Sequence, residues 1–336
     1  MQPPSSATPA RLQAAGARGL RPLKIAPLLT VSAPPFAHAG SSVHSLMLTS
    51  IAALAPAAVM AALAYGLPAV RVMALCGATA ILAEFLCERL MGRRSSVDDF
   101  HGLYMGLVLA FLLPAAAPWW LAVMGAASSI VLGKMIFGGL GGSPLSPALV
   151  GWAVCSLSWP EAMDAEFSML ASELTSPLHQ LKSFGPEAVA GISPLRLLAG
   201  RQLGGLGASQ VWAVLAGGLL LLALGRVRWE IPLGFLAGLT AAEGVYWLSD
   251  PATYASPLFH LLAGSAVFVA FFAATDEPST PSRTLPMLLF GLLAGALTAV
   301  IRIHGIYPDG AAFAVLLANL FTPMLARIRP KPFGAR

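Results

Sequence analysis

The stretch K-M-I-F-G-G-L-G-G-S-P-L-S-P-A-L-V-G-W, from Lys134 to Trp152, decides the fold. Gly138, Gly139, Gly141 and Gly142 permit left-handed dihedrals, while Pro144 and Pro147 lack backbone donors and suit the first turn of a helix. The spacing predicts a helix that stops near Phe137, a turn, and a second helix that begins near Pro144. A second interruption, I-H-G-I-Y-P-D-G-A-A-F-A-V-L-L-A-N-L from Ile303 to Leu320, again runs glycine, proline, then small-residue helix. The two read either as ordinary tight turns or as matching points of an internal duplication. In the second reading irregular backbone lines a protected cavity, because lipid cannot satisfy free N–H and C=O groups.

Composition favours the membrane. Of 336 residues, 57% are hydrophobic and only 10% charged, where a soluble domain carries about 25% charge. Residues 1–39 hold prolines and scattered arginines with no apolar run followed by a small-residue cleavage site, which reads as a cytoplasmic tail rather than a signal peptide. Cys76, Cys87 and Cys155 show no C-x-x-C and no histidine at ligand spacing, so a metal or iron–sulfur centre is not expected. The net charge of +5 is spread over segment ends rather than clustered with aromatics, which fits membrane orientation and not nucleic acid.

Taking about 20 apolar residues as a full span and allowing shorter buried ones, ten segments emerge. The first repeat (residues 40–159) holds Met47–Tyr65, Ala69–Met91, Gly102–Leu113, Trp119–Phe137 and Pro144–Trp159. A polar region, residues 160–207, follows. The second repeat (208–325) holds Ala208–Leu224, Ile231–Leu248, Pro257–Thr275, Thr284–Ile301 and Pro308–Leu325, ahead of a tail at 326–336. The third and fifth segments are short and are expected to be buried by neighbours.

With both termini cytoplasmic, fifteen of the 20 Lys and Arg residues fall inside and only Arg71, Lys182, Arg196, Arg201 and Arg302 outside. The positive-inside rule selects this topology and puts residues 160–207 in the periplasm of a bacterial inner membrane. Five spans, a loop and five more spans form an inverted repeat, as in many transport folds. The fold class is thus an all-α polytopic membrane protein with short, Gly/Pro-broken helices in a 5+5 inverted repeat. Glu84 and Glu243 fall on equivalent segments. An intramembrane carboxylate costs several kcal/mol unless paired, so both are candidates for an ion path, or else are bonded to a neighbouring helix for structural reasons. The six histidines are dispersed at segment ends, with no arrangement of acid, base and nucleophile, and are expected at interfaces or hydrogen-bonded.

Four stretches carry a family resemblance that covers most of the chain. They are S-A-P-P-F-A-H at Ser32–His38, L-P-A-A-A-P-W-W at Leu113–Trp120, G-K-M-I-F-G-G-L-G-G-S-P-L-S-P-A-L-V-G at Gly133–Gly151, and A-F-F-A-A-T-D-E-P with G-I-Y-P-D-G-A-A-F-A-V-L-L-A-N-L near the end. The chain resembles the D subunits of Rnf (Rsx) ion-translocating oxidoreductase complexes, relatives of the B subunit of the sodium-pumping NADH:quinone reductase. The resemblance implies a membrane component of a complex that couples electron transfer between ferredoxin and NADH, through flavins, to sodium or proton translocation. The other subunits and membrane lipid are its implied partners.

It also implies flavin mononucleotide (FMN) bound through its phosphate to a threonine in a periplasmic D-x-x-[S/T]-x-A-T-P-L motif, attached by a flavin transferase, and a second, non-covalent flavin. The matching stretch here is L-A-S-E-L-T-S-P-L-H-Q-L-K, Leu170–Lys182. Ser176 stands at the acceptor position, Thr175 precedes it, and Leu170 replaces the aspartate. A hydroxyl is thus kept where the phosphoester must form. Thr175 and Ser176 also suit a plain turn before Pro177. Two other function classes stay open, a cofactor-free channel or secondary transporter and a D subunit that only scaffolds its complex.

Overall fold

The computed structural model describes residues 42–93, 96–164, 176–200 and 202–328. Among them the chain forms fourteen α-helices. The first half contributes α1 (Val43–Tyr65), α2 (Leu67–Leu90), α3 (His101–Leu112), α4 (Trp119–Ile130) and α5 (Pro147–Ser158). Three short helices follow, α6 (Pro160–Met163), α7 (Pro177–Phe184) and α8 (Pro194–Leu198). The second half contributes α9 (Val211–Ala223), α10 (Glu230–Ser249), α11 (Pro257–Leu262), α12 (Ala266–Phe268), α13 (Thr284–His304) and α14 (Ala311–Leu325).

Four helices, α1, α2, α10 and α13, are long and apolar enough to cross a membrane. A 12-residue helix such as α3 spans only about 18 Å against a hydrocarbon core of about 30 Å. Its burial resolves the mismatch. Ten of the twelve α3 residues are buried, so α3 sits inside the bundle as its length predicts. Half of α5 is buried in the same way.

The connections set the direction of each half. The described parts of the polar region, 176–200 and 202–207, cap one end of the bundle, where Tyr65 donates to the Gln202 carbonyl, the Leu206 N–H donates to the Leu113 carbonyl, and Trp120 meets Trp159 edge-on. At the opposite, open end His44 bonds the Asp98 carbonyl and Arg93 that of Gly138 in the first half, and Arg228 bonds Thr284 in the second. The first half therefore starts at the open end, and the second half starts at the capped end. Two five-segment halves that start from opposite ends have the topology expected of an inverted repeat.

Several boundaries differ from the sequence reading. Helix α5 begins at Pro147, not Pro144, because Gly138, Gly139 and Gly141 all take positive φ and carry the turn further before helical dihedrals resume. Helix α14 likewise begins at Ala311 rather than Pro308. The eighth segment is not one helix. It breaks at Ala263–Ser265, where Gly264 has φ 73°, and resumes as α12 and a π-helical turn, Val269–Ala273. The matching segment of the first half is preceded by its own break, at Phe100 with φ 56°. A second π turn, Val131–Met135, extends α4.

Helices α10 and α13 pack with their backbones in direct contact. Gly234 and Gly238 on α10 face Gly291 and Gly295 on α13. A Cβ at Gly234 would lie 2.8 Å from the Leu288 carbonyl oxygen and one at Gly291 2.6 Å from that of Ile231, and added carbons at Gly238 and Gly295 would lie closer still. Small residues four apart let backbones touch where lipid supplies no hydrophobic drive.

Candidate functional site

Each half buries a carboxylate on its second segment, a cation on its fourth and a histidine seventeen residues after the carboxylate, at 84 and 101 and at 243 and 260. In the first half Lys134, carried into the bundle by the π turn, donates to Glu84 Oε1 at 2.5 Å. Ser96 donates to the same oxygen at 3.0 Å and its Oγ also contacts Glu88, whose Oε2 accepts from the Ser96 N–H at 2.9 Å. Gly102 makes room for the pair, since a Cβ there would collide with the Glu84 carboxylate. His101 is buried beside this cluster with neither ring nitrogen hydrogen-bonded, contrary to the expectation of an interfacial or bonded histidine.

In the second half Glu243 is 0% exposed and lies 3.3 Å from His260 Nδ1. Arg302, also buried, spans the break in the eighth segment. It donates to the backbone carbonyls of His260 and Ala263 and pairs with Asp309 at 3.0 Å. Asp309 in turn accepts from the Ser265 N–H and hydroxyl, both at 2.6 Å. The irregular backbone at Ala263–Ser265 is thus satisfied by side chains from the end of α13 and from the loop that leads to α14.

Sequence reading found Glu84 and Glu243 and missed their partners. Lys134 and Arg302 look like two of twenty orienting charges, yet a lone cation inside or at the end of an apolar run is the signal that could have flagged them. The histidine at equal offset from each glutamate is the other.

At the capped end a cavity of about 370 Å³ is lined by Trp152, Ser176, His179, Ser265, Tyr307 and Asp309 among others. Ser176 is the N-cap of α7, with Pro177 in the first turn, as a turn-forming serine would be. Thr175 and Leu170 lie outside the described residues. Lys182, near the end of α7, donates to the carbonyls of Arg302 and Tyr307 at 3.2 and 3.1 Å, so α7 is tied to the loop that holds Asp309. Among the described residues no group of three or more His, Cys, Asp and Glu could hold a metal ion, and the three cysteines are free thiols.

The model of the NQR2, RnfD, RnfE family matches residues 30–334. The chain belongs to this family. Its relatives there include the D subunit of the ion-translocating oxidoreductase complex of Yersinia enterocolitica, 32% identical over 91% of this chain and 98% of that protein. The proteins of the same name from Yersinia pseudotuberculosis and Salmonella typhi match at the same identity and over the same shares. Such coverage extends the family likeness through both halves and the polar region between them.

Proposed function

We propose that this chain is the D-type membrane component of an ion-translocating oxidoreductase complex in a bacterial inner membrane, with both termini cytoplasmic and the capped end periplasmic. The observation that carries the reading is the match over nearly the full length of relatives so named. The Lys and Arg distribution supports the orientation. The other redox subunits of such a complex are its partners, and the exposed apolar flanks of its helices face them and lipid.

The cavity at the capped end supports a flavin on Ser176. Its volume is within the range of small-molecule sites, about 300–1,000 Å³, and Trp152 and Tyr307 give it aromatic surface. A phosphoester formed between Ser176 Oγ and the FMN phosphate, attached by a transferase, would set the phosphate at the N-terminus of α7, where backbone N–H groups and the helix dipole favour an anion. When bound, the flavin supplies one- and two-electron redox chemistry. The chain's own part is to anchor the phosphate, orient the ring within the cavity and keep it at one end of the bundle. Mass spectrometry of the Leu170–Lys182 peptide from the intact complex tests this. An FMN adduct is expected on the unmutated peptide, lost in Ser176→Ala and kept in Thr175→Ala. An unmodified peptide from a strain that flavinylates its other targets would remove the covalent site.

A further inference from the structure

Glu84 and Glu243 occupy corresponding segments but differ in what surrounds them. Glu84 has a fixed counter-ion in Lys134 and a hydroxyl donor in Ser96. Glu243 has neither. Both of its carboxylate oxygens are buried without a hydrogen-bond donor, and so is His260 Nδ1, 3.3 Å away. Unpartnered polar atoms at this depth cost about 1–3 kcal/mol each, and the two lie side by side. A neutral imidazole can already turn an N–H toward Glu243, but only an added proton removes the buried charge of the pair.

Charge balance leads to the same ligand. The charged groups linked to the pair are Arg302 on α13, which bonds the His260 carbonyl, Asp309 ahead of α14, and Lys182 on α7, which donates to the Arg302 carbonyl; Tyr246 and His304 lie within three residues of Glu243 and Arg302. Arg302 is paired with Asp309, and His304 is held by the Tyr246 hydroxyl at 3.1 Å. Lys182 is held by the carbonyls of Arg302 and Tyr307, so the Glu243 carboxylate has no counter-charge in contact with it, and one added proton neutralises it. A metal cation is a poor substitute, because hard cations take about six oxygen ligands, whereas the neighbours here are an imidazole and a guanidinium.

We propose that Glu243 and His260 form a proton-binding dyad at the capped end of the bundle, and that Glu84–Lys134 is a fixed ion pair that binds no transported ion. The dyad is linked to the cavity through Arg302, which bonds the His260 carbonyl and pairs with Asp309, a lining residue. Binding adds one proton to the pair and breaks no other bond. The transport consequence rests on the proposed function, but proton binding itself does not.

Infrared difference spectra of the purified complex, taken over a pH titration without electron donor, test the dyad apart from any redox activity. Carboxyl and imidazole modes should titrate together in the unmutated complex. They should vanish in Glu243→Gln and in His260→Gln, and persist in the double variant Glu84→Gln/Lys134→Met, which removes the other pair as a neutral unit. In vesicles, proton uptake should be lost in Glu243→Gln while electron transfer continues. Titrating modes that survive both single substitutions would overturn the proposal. So would a sodium-dependent, pH-independent signal that Glu243→Gln abolishes.

Discussion

Lys134→Ala should remove most of the folded protein from the membrane. The Lys134 and Glu84 side chains are 1% and 2% exposed and lie 2.5 Å apart. Deleting one member of such a pair leaves an uncompensated buried charge and costs about 3–5 kcal/mol, a large part of the roughly 5–15 kcal/mol that holds a domain together. Rescue should follow from neutralising both partners. Glu84→Gln/Lys134→Met leaves only Glu88, which keeps its Ser96 donors, and should restore much of the folded yield, because a neutral pair of similar volume replaces the ionic one. Size-exclusion profiles of detergent-solubilised protein read both outcomes. Wild-type yield for Lys134→Ala would mean that Glu84 is solvated or otherwise compensated.

The α10–α13 crossing should be at least as sensitive. Gly238→Leu or Gly295→Leu drives a branched side chain into facing backbone, with a Cβ at Gly238 already 2.9 Å from the Leu292 Cα. Backbone cannot move aside as a flexible side chain can, so the helices must separate. Overpacking of this kind costs about 1–3 kcal/mol or more in an ordinary core. Here the same two helices carry Glu243 and Arg302, so separation also dismantles the second charge cluster. Gly244→Ala is the control, since its added Cβ would meet nothing closer than Pro257 Cγ at 3.9 Å. A loss of thermal stability is expected for the two leucine variants and not for Gly244→Ala. A stable Gly238→Leu protein would show that the helices do not touch as described.

Much of this architecture is legible in the chain because its determinants are local. Glycine and proline runs mark Gly138–Pro147 and Gly305–Gly310 as breaks, and apolar runs give the ten segments. What stayed hidden is set by packing. The sequence signals at Pro144 and Pro147 are equivalent, and positive φ at Gly138, Gly139 and Gly141 decides in favour of the later one. The break at Gly264 looks like one tolerated glycine in an apolar run, and becomes intelligible only with Arg302 and Asp309 supplying its lost hydrogen bonds. Lys134 reaches across fifty residues to Glu84, and Arg302 across forty-two to the carbonyl of His260. No local pattern encodes such distances. Glu84 and Glu243 both sit on the second long segment of their halves, on α2 and α10, and their surroundings differ.

Coupling of electron transfer to ion movement within a larger complex is the role assigned to this chain. It is measured most directly as redox-driven ion uptake by proteoliposomes that hold the purified complex with or without the chain, reading electron transfer and uptake in the same sample. The chain is expected to co-purify with the redox subunits, its omission to abolish uptake, and its return to recover it. Uptake per electron that is unchanged when the chain is left out would contradict that role.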